Sequence, residues 1–474
     1  MPDLVKADLC VIGAGSGGLS VAAGASQMGA STVLIEKGKM GGDCLNYGCV
    51  PSKALLAAGH AAQAVRSSGR FGIDGGDPEI DAARVYEHVR GVIEAIAPMD
   101  SVERFEGLGV QVIQDAARFT GPAEVMAGGK RVAARRFVIA TGSSPATPPI
   151  PGLDETPHFT NETIFDGGGA LPEHLIIIGG GPIGIEMAQA HRHLGCAVTV
   201  LEMFAIMPKD DPELVAILRD HLKADGIDIR EGIQIARVGN SDAGVRVHFG
   251  DSTHVDGSHL LVAAGRRANV DGLDLESAGI KYSPRGIDVD ARLRTSNKRA
   301  FAIGDVTGGY QFTHMAGYHA GIVIRNALFR LPAKVNYDAV PWVTYTDPEL
   351  AHVGLTEADA RKRLNDGDLR ILRHPFAEND RAQAEGRTDG LLKVIATRRG
   401  HILGASIVGP AAGEIIQTWV LAISRKLKVG AVAGMIAPYP TLSEVSKRAA
   451  GSFFTPSLFG ERTKKLVRFL ARFG

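Results

Sequence analysis

Four cysteines in 474 residues (Cys10, Cys44, Cys49 and Cys196) are too few for a disulfide framework. That excludes the small stapled secreted folds and makes a cytoplasmic protein the expectation. Charge imbalance is missing as well. Fifty-two basic residues face 52 acidic ones, so no global field draws in nucleic acid or an anionic membrane. No uninterrupted apolar run reaches the ~18 residues of a spanning helix, so no membrane span is expected. The one stretch that imitates a leader, Leu9 to Ala25, lacks a basic start and is broken by Gly13, Gly15, Gly17 and Gly18. Glycine is what the chain has in excess: 59 residues, about one in eight against a usual ~7%. Tight turns and close backbone approaches follow from that. Length and a 45% hydrophobic, 22% charged composition fit a globular chain of roughly two to four domains.

The spacing predicts a strand at Asp8–Ile12, then Gly13-Ala-Gly15-Ser-Gly-Gly18, a helical pattern through Ala22–Met28, and a second strand, Thr32–Ile35, ending at Glu36. Strand, glycine turn, helix, strand and terminal acid form a dinucleotide-binding fingerprint. Its glycines let the backbone reach a pyrophosphate, and the helix start offers N–H groups and a positive dipole end. The unit recurs 166 residues later. Leu175–Ile178 precedes Gly179-Gly-Gly181-Pro-Ile-Gly184, a helix to Leu194 and a strand, Val198–Leu201, that ends at Glu202. In both copies the first glycine and the acid stand 23 residues apart. One such motif is weak evidence; two in register predict two bound dinucleotides.

Two other segments read as strand ends that meet a ligand. Phe137–Ala140 runs into Thr141-Gly142-Ser143, followed by a Pro-rich crossing, and Ala300–Ile303 runs into Gly304-Asp305 before a helix from Thr313. A carboxylate so placed can accept a ribityl hydroxyl, although Gly-Asp alone is a common turn. From about Val340 no fingerprint occurs. Strands at Val343–Tyr345, Leu369–His374, Leu391–Ala396 and Ile402–Val408, with helices near Glu357–Leu364 and Ala412–Arg425, predict a separate α+β domain.

The chemistry centres on Cys44-Leu-Asn-Tyr-Gly-Cys49-Val-Pro51-Ser-Lys53. Four residues between cysteines suit zinc poorly, and no two further ligands present themselves. Pro51 fits the first turn of a helix through Ala54–Ala58, which puts Cys49 near a helix start where the dipole and Lys53 favour thiolate. A redox pair is the reading; inert buried cysteines are the alternative. Cys10 and Cys196, inside the fingerprints, read as structural. The histidines show no metal-ligand spacing, and His191 and His193 read as helix-surface residues.

Taken together, Cys-x4-Cys with its lysine, two fingerprints, Ala-Thr-Gly and Ala-Ile-Gly-Asp resemble the flavin-dependent pyridine nucleotide–disulfide oxidoreductases, and the resemblance covers essentially the whole chain. It implies an α/β fold: two Rossmann-like dinucleotide-binding domains and a C-terminal α+β dimerisation domain. The implied divisions are 1–150 and 271–338 for FAD, 151–270 for NAD(P) and 339–474 for the interface of a homodimer. FAD would use Gly13, Gly15, Gly18, Glu36, Thr141, Gly142, Ser143, Gly304, Asp305, Thr313 and His314. The nicotinamide dinucleotide would use Gly179, Gly181, Gly184, Glu202 and Gly265. Cys49 matches the family's charge-transfer cysteine and Cys44 its interchange cysteine. Lys53 matches the lysine near flavin N5, and Glu186 that lysine's partner. Glu202, with no arginine from Met203 to Pro208, implies NADH in preference to NADPH, although Lys209 lies nearby.

One departure stands out. Disulfide-reducing members carry His-Pro-Thr-x-x-Glu, whose histidine serves the partner subunit's thiols; here the stretch is Tyr439-Pro440-Thr441-Leu442-Ser443-Glu444. Glu444 remains, but a tyrosine of pKa ~10 is a poor base at neutral pH. In this the chain resembles mercuric-reductase-like members, without their N-terminal metal-binding domain or C-terminal cysteine pair. The expected acceptor is a small or protein disulfide or a thiol-reactive metal ion. A metal-ion or quinone reductase and a slow-turnover redox sensor are the alternatives. Glu461–Phe473 alternates basic and apolar residues; it reads as a helix packed on the dimer with a solvated face, a membrane-surface helix being the alternative.

Overall fold

The computed structural model describes residues 3–166 and 170–473. These form two compact units, one of residues 3–62, 79–166, 170–203 and 233–336, the other of residues 63–78, 204–232 and 337–473.

The first unit holds both fingerprints. Leu4–Ile12 and Thr32–Ile35 are parallel neighbours, with Ile12 opposite Ile35 in register. Val110–Ile113 extends this sheet on one side, and Lys130–Ile139 on the other pairs with Ala300–Ala302. The burial of Leu9–Ile12, Val33–Ile35 and Phe137–Ile139 is nearly complete. Such runs suit parallel strands covered on both faces. The second fingerprint repeats the pattern: Ala197–Glu202, His174–Ile178 and His259–Val262 lie parallel in that order. A three-stranded antiparallel sheet from Ile235 to Gly257, absent from the sequence expectations, completes this part.

Both fingerprint helices start where the motif predicts, at Ser16 and Pro182. The turns depend on missing side chains. A Cβ on Gly18 would stand 1.8 Å from the Gly13 carbonyl oxygen, and one on Gly184 2.0 Å from that of Gly179. Gly13 and Gly179 themselves adopt φ of +104° and +116°, which L side chains rarely tolerate. The helix Pro182–His193 corrects one expectation: His191 and His193 are buried, not on a helix surface. Burial pushes His191 down to about 4, so the ring is neutral, and it bonds to the Met187 carbonyl. A two-residue spacing of polar side chains looked solvated because nothing in it shows that this helix is covered all round.

The second unit is built on a five-stranded antiparallel sheet in the order Pro341–Thr344, Glu349–Gly354, Ile402–Gly409, Leu391–Thr397, Leu369–Pro375. Glu349–Gly354 was not expected, because Asp347-Pro348 reads as a break. The single helix expected over Ala412–Arg425 is two, Ala412–Ile415 and Gln417–Ser424. Trp419 is fully buried, with its indole N–H on Ser446 at 3.1 Å. Polar stitching also reaches the interior. Lys393, 4% exposed, places its ammonium 2.8 Å from Asp211, 2.9 Å from Glu213 and 2.6 Å from Glu357. Asp211 is buried too and caps the helix Pro212–Ala224.

Removing one partner of such a cluster strands the others in low dielectric. Lys393→Ala is therefore expected to cost about 3–5 kcal/mol in urea unfolding, far more than loss of the exposed Lys464–Glu461 pair.

Candidate functional site

The thiol pair sits where three local structures converge within the first unit. Cys44 lies in a short helix, Gly42–Asn46, and Cys49 opens the long helix Cys49–Arg66, so Pro51 falls in its first turn as expected. Both cysteines are free thiols, and each perturbs the other's titration. The Cys44 thiol, supported by the Thr313 hydroxyl and the Lys53 charge against burial and Glu186, lowers Cys49 to about 6. The neighbouring Cys49, with burial, raises Cys44. Thr313 Oγ1 stands 3.6 Å from Cys49 Sγ, at the start of the helix Thr313–Ala327. At neutral pH the reduced pair is thus one thiolate, Cys49, held by one thiol, Cys44.

One turn along its helix, Lys53 meets Glu186 at 2.7 Å. Glu186 is buried on the helix that follows the second glycine turn, so this ion pair ties the thiol-bearing helix to the second fingerprint. The sequence expectation that Lys53 and Glu186 pair matches this geometry.

Each glycine turn presents a cradle. Gly15 and Gly181 cap their helices with no side-chain hydrogen bond, leaving first-turn N–H groups to another acceptor, and a Cβ on either would meet nothing within 4 Å. The acids at the strand ends behave alike: Glu36 accepts the N–H of Ala14 at 2.5 Å, and Glu202 accepts that of Gly180 at 2.7 Å. Ala14 and Gly180 are equivalent positions of the repeat. Open space and orphan donors at both turns fit the pyrophosphates of two dinucleotides.

The remaining expected residues gather through three side chains that sequence reasoning missed. Asn269 clamps the Thr141-Gly142 turn, its side chain donating to the Thr141 carbonyl at 3.0 Å and its N–H to that of Gly142 at 3.0 Å. Arg266, next to Gly265, donates to Ser143 Oγ at 2.7 Å and to the Ser143 carbonyl at 2.8 Å, and lies 3.2 Å from Asp43. Ser143 in turn donates to Asp305 at 2.6 Å. Asn161 also donates to Asp43, at 3.0 Å. A continuous polar chain thus runs from Asp305 to the residue beside Cys44. Burial raises Asp305, and Ser143 and Arg266 oppose it. The Gly304 N–H is received by buried His319, whose pKa burial lowers to about 4. A basic residue directly after Gly265 was the available signal for Arg266. His314 stacks on Phe312 with ring centres 5.1 Å apart.

Tyr439 and Glu444 belong to the second unit. The Tyr439 hydroxyl donates to Asp380 at 2.9 Å, and this bond raises the phenol's pKa further. Glu444 instead takes the N–H of Thr441 at 3.5 Å, so the structure does not bring it onto Tyr439.

Residues 7–320 match the family described as pyridine nucleotide-disulphide oxidoreductase, and residues 340–450 its dimerisation domain. The chain belongs to the pyridine nucleotide-disulphide oxidoreductase family. A mercuric reductase of Streptomyces lividans is 36% identical over 459 residues, covering 94% of this chain and 96% of the relative. A dihydrolipoyl dehydrogenase of Geobacillus stearothermophilus is 36% identical over 464 residues, with the same coverages. Among solved structures, a Cu(II) complex of the HOCl-induced flavoprotein disulfide reductase RclA from Escherichia coli superposes with a TM-score of 0.84 at 27% identity, covering 93% of this chain and 98% of that one. Oxidoreductases of this family use FAD and a pyridine nucleotide. No helix among the described residues is long and apolar enough to cross a membrane.

The proton sorting at the thiols is open to direct measurement. In the dithiothreitol-reduced protein, ultraviolet thiolate absorbance should appear with a midpoint of about pH 6 and be lost below it, since Cys49's pKa is lowered. Cys44→Ala removes the largest cause and should move that midpoint up towards ~8.5.

Proposed function

We propose that this oxidoreductase draws an electron pair from NADH and delivers it through a Cys44–Cys49 redox pair to a disulfide or another thiol-reactive acceptor. The observation that carries the reading is one cluster in which a thiolate–thiol pair shares the helix start of Cys49 with the Lys53–Glu186 bridge to the second glycine turn. Bound FAD would supply the redox chemistry that links a nicotinamide to sulfur.

The chain's own residues bind and sort protons. The first turn with Glu36, Thr141, Gly142, Ser143, Gly304 and Asp305 would hold FAD. The second turn with Gly265 would hold the nicotinamide dinucleotide, and the Lys53–Glu186 pair fixes charge beside the thiols. With the pair reduced, the Cys44 proton passes to the Cys49 thiolate and Cys44 Sγ attacks an acceptor disulfide, forming a mixed disulfide while the departing thiolate takes a proton from solvent. Cys49 Sγ then attacks Cys44 Sγ, releases the second thiol and closes the Cys44–Cys49 bond. NADH, one proton and the acceptor disulfide thereby become NAD⁺ and two thiols. Residues 340–450 would join two copies, and Glu202 would favour NADH by accepting ribose hydroxyls where a 2′-phosphate would be repelled.

A second acceptor class is favoured by Tyr439. Its proton is already committed to Asp380, so the residue standing where disulfide reductases place a histidine is a donor and not a base. A thiophilic metal ion needs no proton at that position: NADH and Hg(II) give NAD⁺, a proton and Hg(0). The resemblance to mercuric reductases and to a flavoprotein that forms a Cu(II) complex supports this reading.

The air-oxidised holoenzyme should gain two titratable thiols per chain on anaerobic NADH addition, and Cys44→Ser should gain none; an unchanged thiol count would overturn the relay. Lipoamide, glutathione disulfide, Hg(II) and quinones offered next would rank the acceptors. Tyr439→His should raise disulfide turnover by a factor within ~10²–10⁴, while flavin reduction by NADH stays unchanged. The kcat/KM for NADH should exceed that for NADPH, and Glu202→Gln should narrow the gap.

A further inference from the structure

The helix Glu461–Leu470 has no buried residue, although five of the ten residues 464–473 are large and apolar. Leu466, Val467, Phe469, Leu470 and Phe473 are each more than half exposed, with Phe473 reaching 75%. Isolated exposed leucines need no explanation, but a contiguous apolar face does. At 3.6 residues per turn Leu466, Phe469 and Leu470 share one side of the helix, and Phe473, past its end, lies with its ring centre 5.1 Å from that of Phe469. Lys464, Lys465 and Arg468 fall on the other side. Five basic side chains and one acid occupy residues 461–473 of a chain whose formal charge is zero. The cationic charge is therefore concentrated where the apolar face is bare.

We infer that residues 461–473 form an interfacial anchor that docks the protein on an anionic lipid bilayer, with the Leu/Phe face in the acyl boundary and the Lys/Arg face among the headgroups. Charge selects this occupant. A second copy of the helix would bring five like charges against five, whereas anionic lipid complements them, and long basic side chains flanking a buried apolar stripe can extend to the headgroup layer. The segment also lies outside residues 340–450, the part that matches the family's dimerisation domain. Nucleic acid would use the cations and leave the aromatic and leucine face in water. The helix is far too short to span, so it lies in the interface plane.

Flotation of the full-length holoenzyme tests this, with phosphatidylcholine vesicles set against vesicles containing about a third phosphatidylglycerol. The protein should float with the anionic vesicles only, and binding should fall as salt rises. A cationic side chain at such a surface contributes about fivefold in affinity, so Lys464→Glu with Arg468→Glu should weaken binding about thirtyfold or more. Leu466→Ser with Leu470→Ser should abolish it. Phe469→Trp should gain a blue-shifted emission with anionic vesicles that the parent protein lacks. All variants should keep NADH oxidation and the parent solution mass. Absence of the full chain from anionic vesicles, or binding that neither double variant changes, would overturn the proposal. So would a halved solution mass in the Leu variant, which would make the helix a contact between two copies.

Discussion

A helix can begin against the end of a parallel strand only if no side chain stands between them. In this chain that condition is met twice, by Gly18 against the Gly13 carbonyl and Gly184 against that of Gly179. Closing the turn this tightly leaves each helix capped by a glycine with no side chain to satisfy the first N–H groups. The fold thus creates orphan donors and then keeps their surroundings clear of Cβ atoms. Glu36 and Glu202 hold equivalent N–H groups of the two loops, so each turn is fixed from the strand that follows it. The rest of the first unit hangs on these frames. The thiol-bearing helix is joined to the second through Lys53 and Glu186, and the Asp305 loop to the Cys44 helix through Ser143, Arg266 and Asp43.

That polar chain gives the thiol pair a rigid setting. Arg266 is only 12% exposed in its side chain, and its guanidinium is shared among a hydroxyl, a carbonyl and carboxylates. Planar, multidentate donors of this kind fix geometry in a way that a single ammonium does not. The cysteines need such fixing, because their effect on one another decides which sulfur carries charge. A pair free to turn would lose the difference between Cys44 and Cys49.

How much of this was legible beforehand follows from range in sequence. Features set by a few neighbouring residues were readable: both turns, the strands that flank them, the helix start at Cys49 and the α/β class. The Lys53–Glu186 pairing came through the resemblance, since 133 residues separate the partners and no local pattern links them. Arg266, Asn161 and Asn269 were missed for the same reason. Each looks like an ordinary loop residue until the chain brings Asp43, Ser143 and Thr141 to it. Burial of His191 and His193 was misread because polarity at a two-residue spacing says nothing about what covers a helix. The exposed face of residues 461–473 was visible as a pattern, but only the fold shows that none of the described residues buries it.

In the proposed relay, electrons and protons are handled by different parts of the sequence. The pieces concerned with the electron path lie in the first unit and conform closely to the family pattern. The departure, Tyr439, lies in the second unit, and there the change is from a group that exchanges protons near neutrality to one that holds its proton against Asp380. In the proposed relay such a replacement would leave hydride chemistry untouched and act only on what leaves through the sulfurs. A disulfide acceptor must have protons delivered to two departing thiolates, whereas a metal ion bound by sulfur releases protons and requires none. On that proposal one side chain outside the glycine turns would redirect an unchanged electron path from one acceptor chemistry to another. Diversity within a fold of this kind is then expected to concentrate at the proton-handling position and not at the glycine turns.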